Sequence, residues 1–198
     1  MEDAIDIVLL AAGRATRMRG ADKMLQEVPV MLGTEPLIRA MARRCARVGP
    51  TRVVIARDQD ARRAAVADLD VEIVDIPPGG GMAASIVAGV QGRDGPMIVV
   101  LADMPDVTAN DIYRLAGLSR QAPQAILRAA AADGTPGHPV LFPADLRPAL
   151  EGLTGDAGAR AILQAHEARV HLVPLDGERA LTDLDTPEDW ARWRKAQR

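Results

Sequence analysis

The sequence predicts an α/β fold of three layers, with a mostly parallel central sheet between two layers of helices. Three observations predict it. Strand-like and helix-like segments alternate along the 198 residues. Residues 5–10 and 97–101 are unusually apolar runs, as expected of parallel strands covered on both faces. Helical patterns of roughly 10–20 residues separate the strands, which suits βαβ crossovers. With 48% hydrophobic residues the chain can bury a sizeable core, and residues 1–198 read as a single domain.

Each element has its own signal. Residues 5–10 form the first strand. Residues 35–48 form a helix, with Leu37, Ile38, Met41, Cys45 and Val48 on one stripe. Thr34 is placed to cap it, and Pro36 is tolerated in its first turn. Strands at 52–56 and 71–75 flank a helix at 60–69. Pro-Pro-Gly-Gly-Gly at 77–81 opens a small-residue helix at 82–90. Residues 97–101 form a central strand. Thr108 caps the next helix with Asp111 in capping-box spacing. Strands follow at 125–128 and 139–142, helices at 144–150 and 157–166, and a strand at 170–174. Thr186, Pro187 and two acids open the last helix.

Composition excludes several functions. Two Trp, one Tyr and one Phe leave too few rings for base-stacking platforms, and a net charge of −3 disfavours nucleic-acid binding. No apolar run approaches 18 residues, so no membrane span is expected. An acidic segment followed by a strand at the start predicts no signal peptide. The one cysteine, Cys45, lies on an apolar stripe, reads as core, and fits a reducing cytoplasm. No H-x-x-x-H or C-x-x-C spacing supports zinc, and G-x-S-x-G, the Walker loop and G-x-G-x-x-G are absent.

Chemistry concentrates after the strands. Open sheets of this kind bind ligands at the carboxyl ends of their strands. The loop at 11–22 follows the first strand and leads to Lys23. Of 24 basic residues only two are lysines, and the other is Lys195 near the C-terminus. A compact, mobile ammonium differs from the planar arginine fork and suits a triphosphate. Asp103 ends an apolar strand, where a carboxylate can bind magnesium together with substrate phosphates. Asp183 and Asp185, at alternate positions of an extended segment, point the same way and can complete the metal site. The glycines at 79–81, with Ser85, can let a base or ribose lie on bare backbone. Asp156 reads as a helix cap, which sets Arg160 in a first turn where an anion can bind.

Six motifs carry a resemblance. They are L-A-A-G-R-A-T-R-M-R-G-A-D-K-M-L at 10–25, G-G-M-A-A-S at 80–85, A-D-M-P at 102–105, G-H-P-V-L-F at 137–142, G-D-A-G-A-R at 155–160 and D-L-D-T-P-E-D at 183–189. In this order they resemble the nucleotidyltransferase family that includes molybdenum cofactor cytidylyltransferase and guanylyltransferase, and G-H-P with G-D-x-G-A-R is similar to the cytidylyltransferase-like branch. The resemblance implies a Rossmann-like fold of the nucleotide-diphospho-sugar transferase type. It implies magnesium-dependent transfer of a nucleoside monophosphate from CTP, or another NTP, to a phosphorylated small-molecule acceptor, molybdopterin, with release of pyrophosphate. By the same resemblance Lys23 and Arg17 hold the triphosphate and Asp103 binds magnesium, with Asp183 or Asp185 as a second ligand. Leu10, Ala11, Ala12 and Gly13, with Gly80, Gly81 and Ser85, hold base and ribose. Gly137, His138, Pro139, Asp156 and Arg160 face the acceptor. The guanylyltransferase branch has Gly where Ala12 stands, and the added methyl narrows the base pocket in favour of a pyrimidine. Arg19 departs from the family, which has Gly there. Two alternatives remain open: transfer to a sugar phosphate or other phosphorylated metabolite, and a non-catalytic carrier delivering molybdopterin to a molybdoenzyme or its chaperone.

Overall fold

The structure, a computed structural model, describes residues 5–155 and 158–197. Its main sheet has seven strands: β1 (Asp6–Leu10), β4 (Thr51–Ala56), β5 (Glu72–Ile76), β6 (Met97–Leu101), β7 (Ile126–Ala130), β8 (Pro136–Phe142) and β9 (Val170–Pro174). Their lateral order is β5-β4-β1-β6-β8-β7-β9. Only β8 runs antiparallel to its neighbours. It must, because five residues join it to β7 and a parallel crossover needs a dozen or more. The expected three-layer α/β fold with a mostly parallel sheet is the fold observed.

The helices are α1 (Leu37–Ala46), α2 (Asp60–Val66), α3 (Gly81–Val90), α4 (Ala109–Ser119), α5 (Arg147–Glu151), α6 (Arg160–Ala165) and α7 (Pro187–Ala196). Strand alternation divides them between two cores. Ile7 and Leu9 of β1 face a core with α1, α2, α4 and α7, while Val8 and Leu10 face one with α3, α5 and α6. Cys45 is fully buried, and burial pushes its thiol up to about 12, so it is core. The Thr108–Asp111 and Thr186–Asp189 capping boxes both form.

One reading is corrected. Residues 35–36 belong not to a helix but to a hairpin of β2 (Glu27–Val30) and β3 (Gly33–Pro36), and α1 starts at Leu37. Thr34 pairs with Pro29 across that hairpin and does not cap α1. Gly33, at φ 101°, makes the turn, and the Glu35 carboxylate accepts from Arg43 at 2.9 Å. The predicted cap Asp156 lies outside the described residues, and Ala159 precedes α6 without a side-chain cap.

Chain direction places the site. From β1 the chain moves to β4 and β5 on one side, then returns to β6 on the other. The order therefore reverses between β1 and β6, where open α/β sheets bind ligands beyond the strand ends. Close packing of α3 on β1 fixes one wall. A Cβ on Gly89 would stand 2.2 Å from Val8 Cγ1. Gly89→Ala is expected to destabilise the protein by about 1–3 kcal/mol through overpacking, read as a lower denaturant midpoint. An unchanged midpoint would show that α3 moves freely on the sheet.

Candidate active site

Three loops meet beyond β1, β5 and β6. Ala102 N–H donates to Leu10 O and Ala11 N–H to Val54 O, so the first loop leaves the sheet in fixed register. Lys23 starts a short 3₁₀ turn, Lys23–Leu25, whose cap Asp22 accepts from Met24 N–H. This turn points Lys23 inward, and only 6% of it is exposed. Its Nζ donates to Asp103 Oδ2 at 2.6 Å and to Asp185 Oδ1 at 2.5 Å. Burial opposes the ammonium charge, but Asp103 and Asp185 outweigh it and raise the lysine above its ordinary value. Lys23 is therefore charged across the physiological range, and two of its three donors are engaged.

A backbone bond that sequence cannot show brings the acids together: Leu184 N–H donates to Asp103 O at 3.2 Å. Leu184 is buried, and Asp185 reaches Lys23 and, through Oδ2, Arg17 Nη1 at 2.6 Å. Asp183 does not join them. It is exposed and lines a neighbouring groove. Burial, then the charges of Asp185 and Asp103, push its carboxyl up. The segment is not a regular strand, and of its two carboxylates it is Asp185 that contacts Lys23.

Asp103 Oδ1 is buried without a hydrogen-bond partner while Oδ2 holds Lys23. A buried carboxylate oxygen left unpaired is costly and suits a cation brought by a ligand. Among the described residues no three His, Cys, Asp or Glu side chains form a metal cage. The donor set instead matches magnesium chemistry, in which one or two carboxylates act with substrate phosphates.

Beside this cluster is a cavity of about 350 Å³. Leu10, Ala12, Gly13, Gly80, Gly81 and Ser85 line it, together with Lys23 and Asp103. Ala11 does not. It is buried, and its carbonyl is taken by Arg62. Ser85 is buried and donates to Gly81 O at 2.8 Å, which leaves its oxygen to accept from a ligand. Arg17 is exposed and pairs with Asp185 but does not line the cavity, whereas Arg14 does. Arg19 has φ 53°, the left-handed region that costs a side chain about 1–2 kcal/mol and favours glycine. Its guanidinium pairs with Glu188 at 2.6 Å and so leans toward α7.

A larger cleft of about 960 Å³ adjoins this cavity and shares Leu10, Met82 and Leu101 with it. His138 and Arg160 line it, whereas Gly137 and Pro139 are buried. A Cβ on Gly137 would meet Ala180 O at 1.9 Å, and His138 N–H donates to that same oxygen. These two residues shape the start of β8, which presents His138. Burial, then the Arg128 charge, lower the imidazole from its ordinary 6.5 to about 4, so it is neutral at pH 7. This gives a pH dependence. Above about 6.5 neither folded nor unfolded chain takes a proton there. Between about 6.5 and about 4 only the unfolded chain does, so stability falls on acidification and levels off below about 4. His138→Gln is expected to flatten the melting temperature across that window relative to wild type, and an unchanged slope would remove His138 as its source.

Arginine and glutamine side chains that the motifs do not mark hold the loop. Arg62, 2% exposed on α2, donates to Gly13 O at 2.9 Å and to both Asp22 oxygens at 2.7 and 2.8 Å. It thus ties the start of the loop to the turn that carries Lys23. Gln59 donates to Ala12 O at 3.2 Å. Arg44 donates to Pro105 O and Val107 O, and Trp193 to Asp106, which brace the loop after β6 from α1 and α7. Arg62 shares a helical stripe with buried Val66, and an arginine on a buried stripe was the available signal. Arg62→Met is expected to destabilise by about 3 kcal/mol, the scale of removing one partner from a buried ion pair, and to raise the KM for nucleotide. Wild-type stability and KM together would contradict the clamp.

A lysine held between two carboxylates at a sheet switch point, beside bare glycine backbone, is suited to a polyphosphate and a divalent cation. The class of protein so defined is the nucleotidyltransferases. The chain belongs to the MobA-like NTP transferase domain family, which it matches over residues 7–170. It is 28% identical over 201 residues to a molybdenum cofactor guanylyltransferase of Serratia proteamaculans, covering 98% of this chain and 96% of that one. It is 31% identical to the nicotine blue oxidoreductase of Paenarthrobacter nicotinovorans, over 93% and 94% of the two chains. The crystal structure of Rv0371c from Mycobacterium tuberculosis H37Rv superposes with a TM-score of 0.80 at 26% identity, covering 97% and 98%. A manganese complex of that protein has also been solved. No helix among the described residues is long and apolar enough to cross a membrane.

Proposed function

We propose that this protein transfers CMP from CTP to the phosphate of molybdopterin, with magnesium, releasing pyrophosphate. The observation that carries the reading is the Asp103–Lys23–Asp185 cluster opening on the glycine-lined cavity. Asp103, through its unpartnered Oδ1, and Asp185 are suited to hold magnesium, which when bound supplies charge neutralisation to the triphosphate. Lys23 offers its remaining donor to a phosphate oxygen, and Arg17, exposed beside Asp185, adds a second cation. The base lies against Ala12 and the glycines of 80–81. The acceptor enters from the larger cleft past His138 and Arg160. Its phosphate oxygen attacks the α-phosphorus in line while the bond to pyrophosphate breaks. A phosphate monoester is largely ionised at pH 7, so no general base is required, and the protein acts by positioning and electrostatics.

Choice of base rests on the Ala12 methyl, which lines the cavity and narrows it against a purine. A second reading, GTP, is favoured by the name of the Serratia relative. Pyrophosphate release from each of four NTPs, with and without molybdopterin and magnesium, separates them. We expect release with CTP that needs both additions. Preference for GTP would overturn the Ala12 argument, release with a sugar phosphate alone would replace the acceptor, and no release with any NTP would favour a carrier. Oxidation of NADPH, run in parallel, tests the redox activity named for the Paenarthrobacter relative.

A further inference from the structure

The acceptor cleft contains a cation that nothing above uses. Arg128, on β7, projects from the same sheet face as buried Ile126 and lines the cleft. Its Nε donates to Gly137 O at 3.0 Å, which sets the guanidinium beside the start of β8, the strand that carries His138. Nη2 reaches Pro136 O only at 3.5 Å, the limit of a hydrogen bond. Among the described residues no carboxylate lies within ion-pair distance of it. The two buried arginines, Arg62 and Arg147, do have carboxylates, Asp22 at 2.7 Å and Asp6 at 3.6 Å. Burial alone lowers the Arg128 guanidinium, with no acid to offset it.

A half-buried guanidinium without a counter-ion, facing an open cleft, calls for an anion from outside. Its surroundings narrow the choice. His138 responds to the charges of both Arg128 and Asp103, so the three groups lie near one another. Because His138 is neutral, Arg128 is the charge that this inner part of the cleft presents. The other charged side chains lining the cleft, Arg160 and Glu167, are exposed on or beside α6. An anion on Arg128 therefore lies in the cleft that adjoins the Lys23–Asp103 cavity, the side from which the attacking group of an acceptor approaches.

We propose that Arg128 binds the phosphate monoester of the acceptor, using the guanidinium edge that Gly137 O leaves open. This rests on the nucleotidyl-transfer reading. Inorganic phosphate is the probe, titrated calorimetrically into the full-length protein with the nucleotide site first filled by magnesium and the non-hydrolysable analogue α,β-methylene-CTP. Wild type is expected to take up one further phosphate, and Arg128→Met to lose at least tenfold in that affinity. Arg128→Lys should recover part of it, and Arg120→Ala, at an exposed residue that lines neither the cavity nor the cleft, should retain it. Unchanged binding of the analogue shows that each variant is folded. In turnover, Arg128→Met should raise the acceptor KM at least tenfold and leave the CTP KM as it was. No second phosphate on wild type, or equal uptake by Arg128→Met, overturns the proposal. If the analogue itself does not bind, the nucleotide reading fails, and phosphate uptake measured without it still tests Arg128 through the same variant.

Discussion

Lys23→Ala is expected to lower turnover with CTP and magnesium about a hundredfold, roughly 3 kcal/mol of transition-state stabilisation. The reason is position as much as charge. The ammonium is buried between Asp103 and Asp185, and only a compact donor fits both contacts with a third left for a phosphate oxygen. Its removal leaves Asp103 without its cation and Asp185 with Arg17 alone, so nucleotide binding weakens as well. Lys23→Arg should rescue little, because a planar guanidinium is too large for this seat and aims its donors differently. In a chain with 22 arginines the retained lysine then has a physical reason. Steady-state kinetics of both variants, with thermal melts to confirm folding, make the check. Wild-type turnover in Lys23→Ala would remove the site from the reaction.

Asp103→Asn is expected to abolish metal-dependent turnover. The amide keeps the volume of the carboxylate and still accepts from Lys23, so the fold and the lysine position survive. It removes the negative charge behind Oδ1, the buried oxygen left without a partner. Asp185→Asn should be milder, because Asp185 is half-buried and shares its charge with Arg17 as well as Lys23. The decisive readout is activity against magnesium concentration. Loss at every concentration in Asp103→Asn agrees with a metal ligand. A curve like that of wild type would refute the assignment.

Much of this was legible in the chain. The buried strands 5–10 and 97–101 announced a parallel sheet, and Lys23 and Asp103 stood out because each follows such a strand in a loop with the right neighbours. The hairpin at Glu27–Pro36 was not legible. Pro29 disfavours a strand, and Thr34-Glu35-Pro36 reads well as a helix start, so cross-strand pairing overrode the local preference. Asp183 and Asp185 could not be separated from sequence, since a backbone bond from Leu184 to Asp103 decides which one reaches Lys23. Arg62 and Arg128 were missed for one shared reason. Each is a single arginine at an inward position of an otherwise apolar pattern, and in both places the pattern drew attention away from the exception. Arg19 departs from the family pattern, and its φ of 53° explains why glycine is the simpler residue there.

The most direct test follows the label of [α-³²P]CTP with magnesium and molybdopterin. Label is expected in the acceptor in step with released pyrophosphate, with none left on the protein, and Lys23→Ala and Asp103→Asn should both lose it. Label bound covalently to the protein, or pyrophosphate released with no label in the acceptor, would contradict in-line transfer to the acceptor.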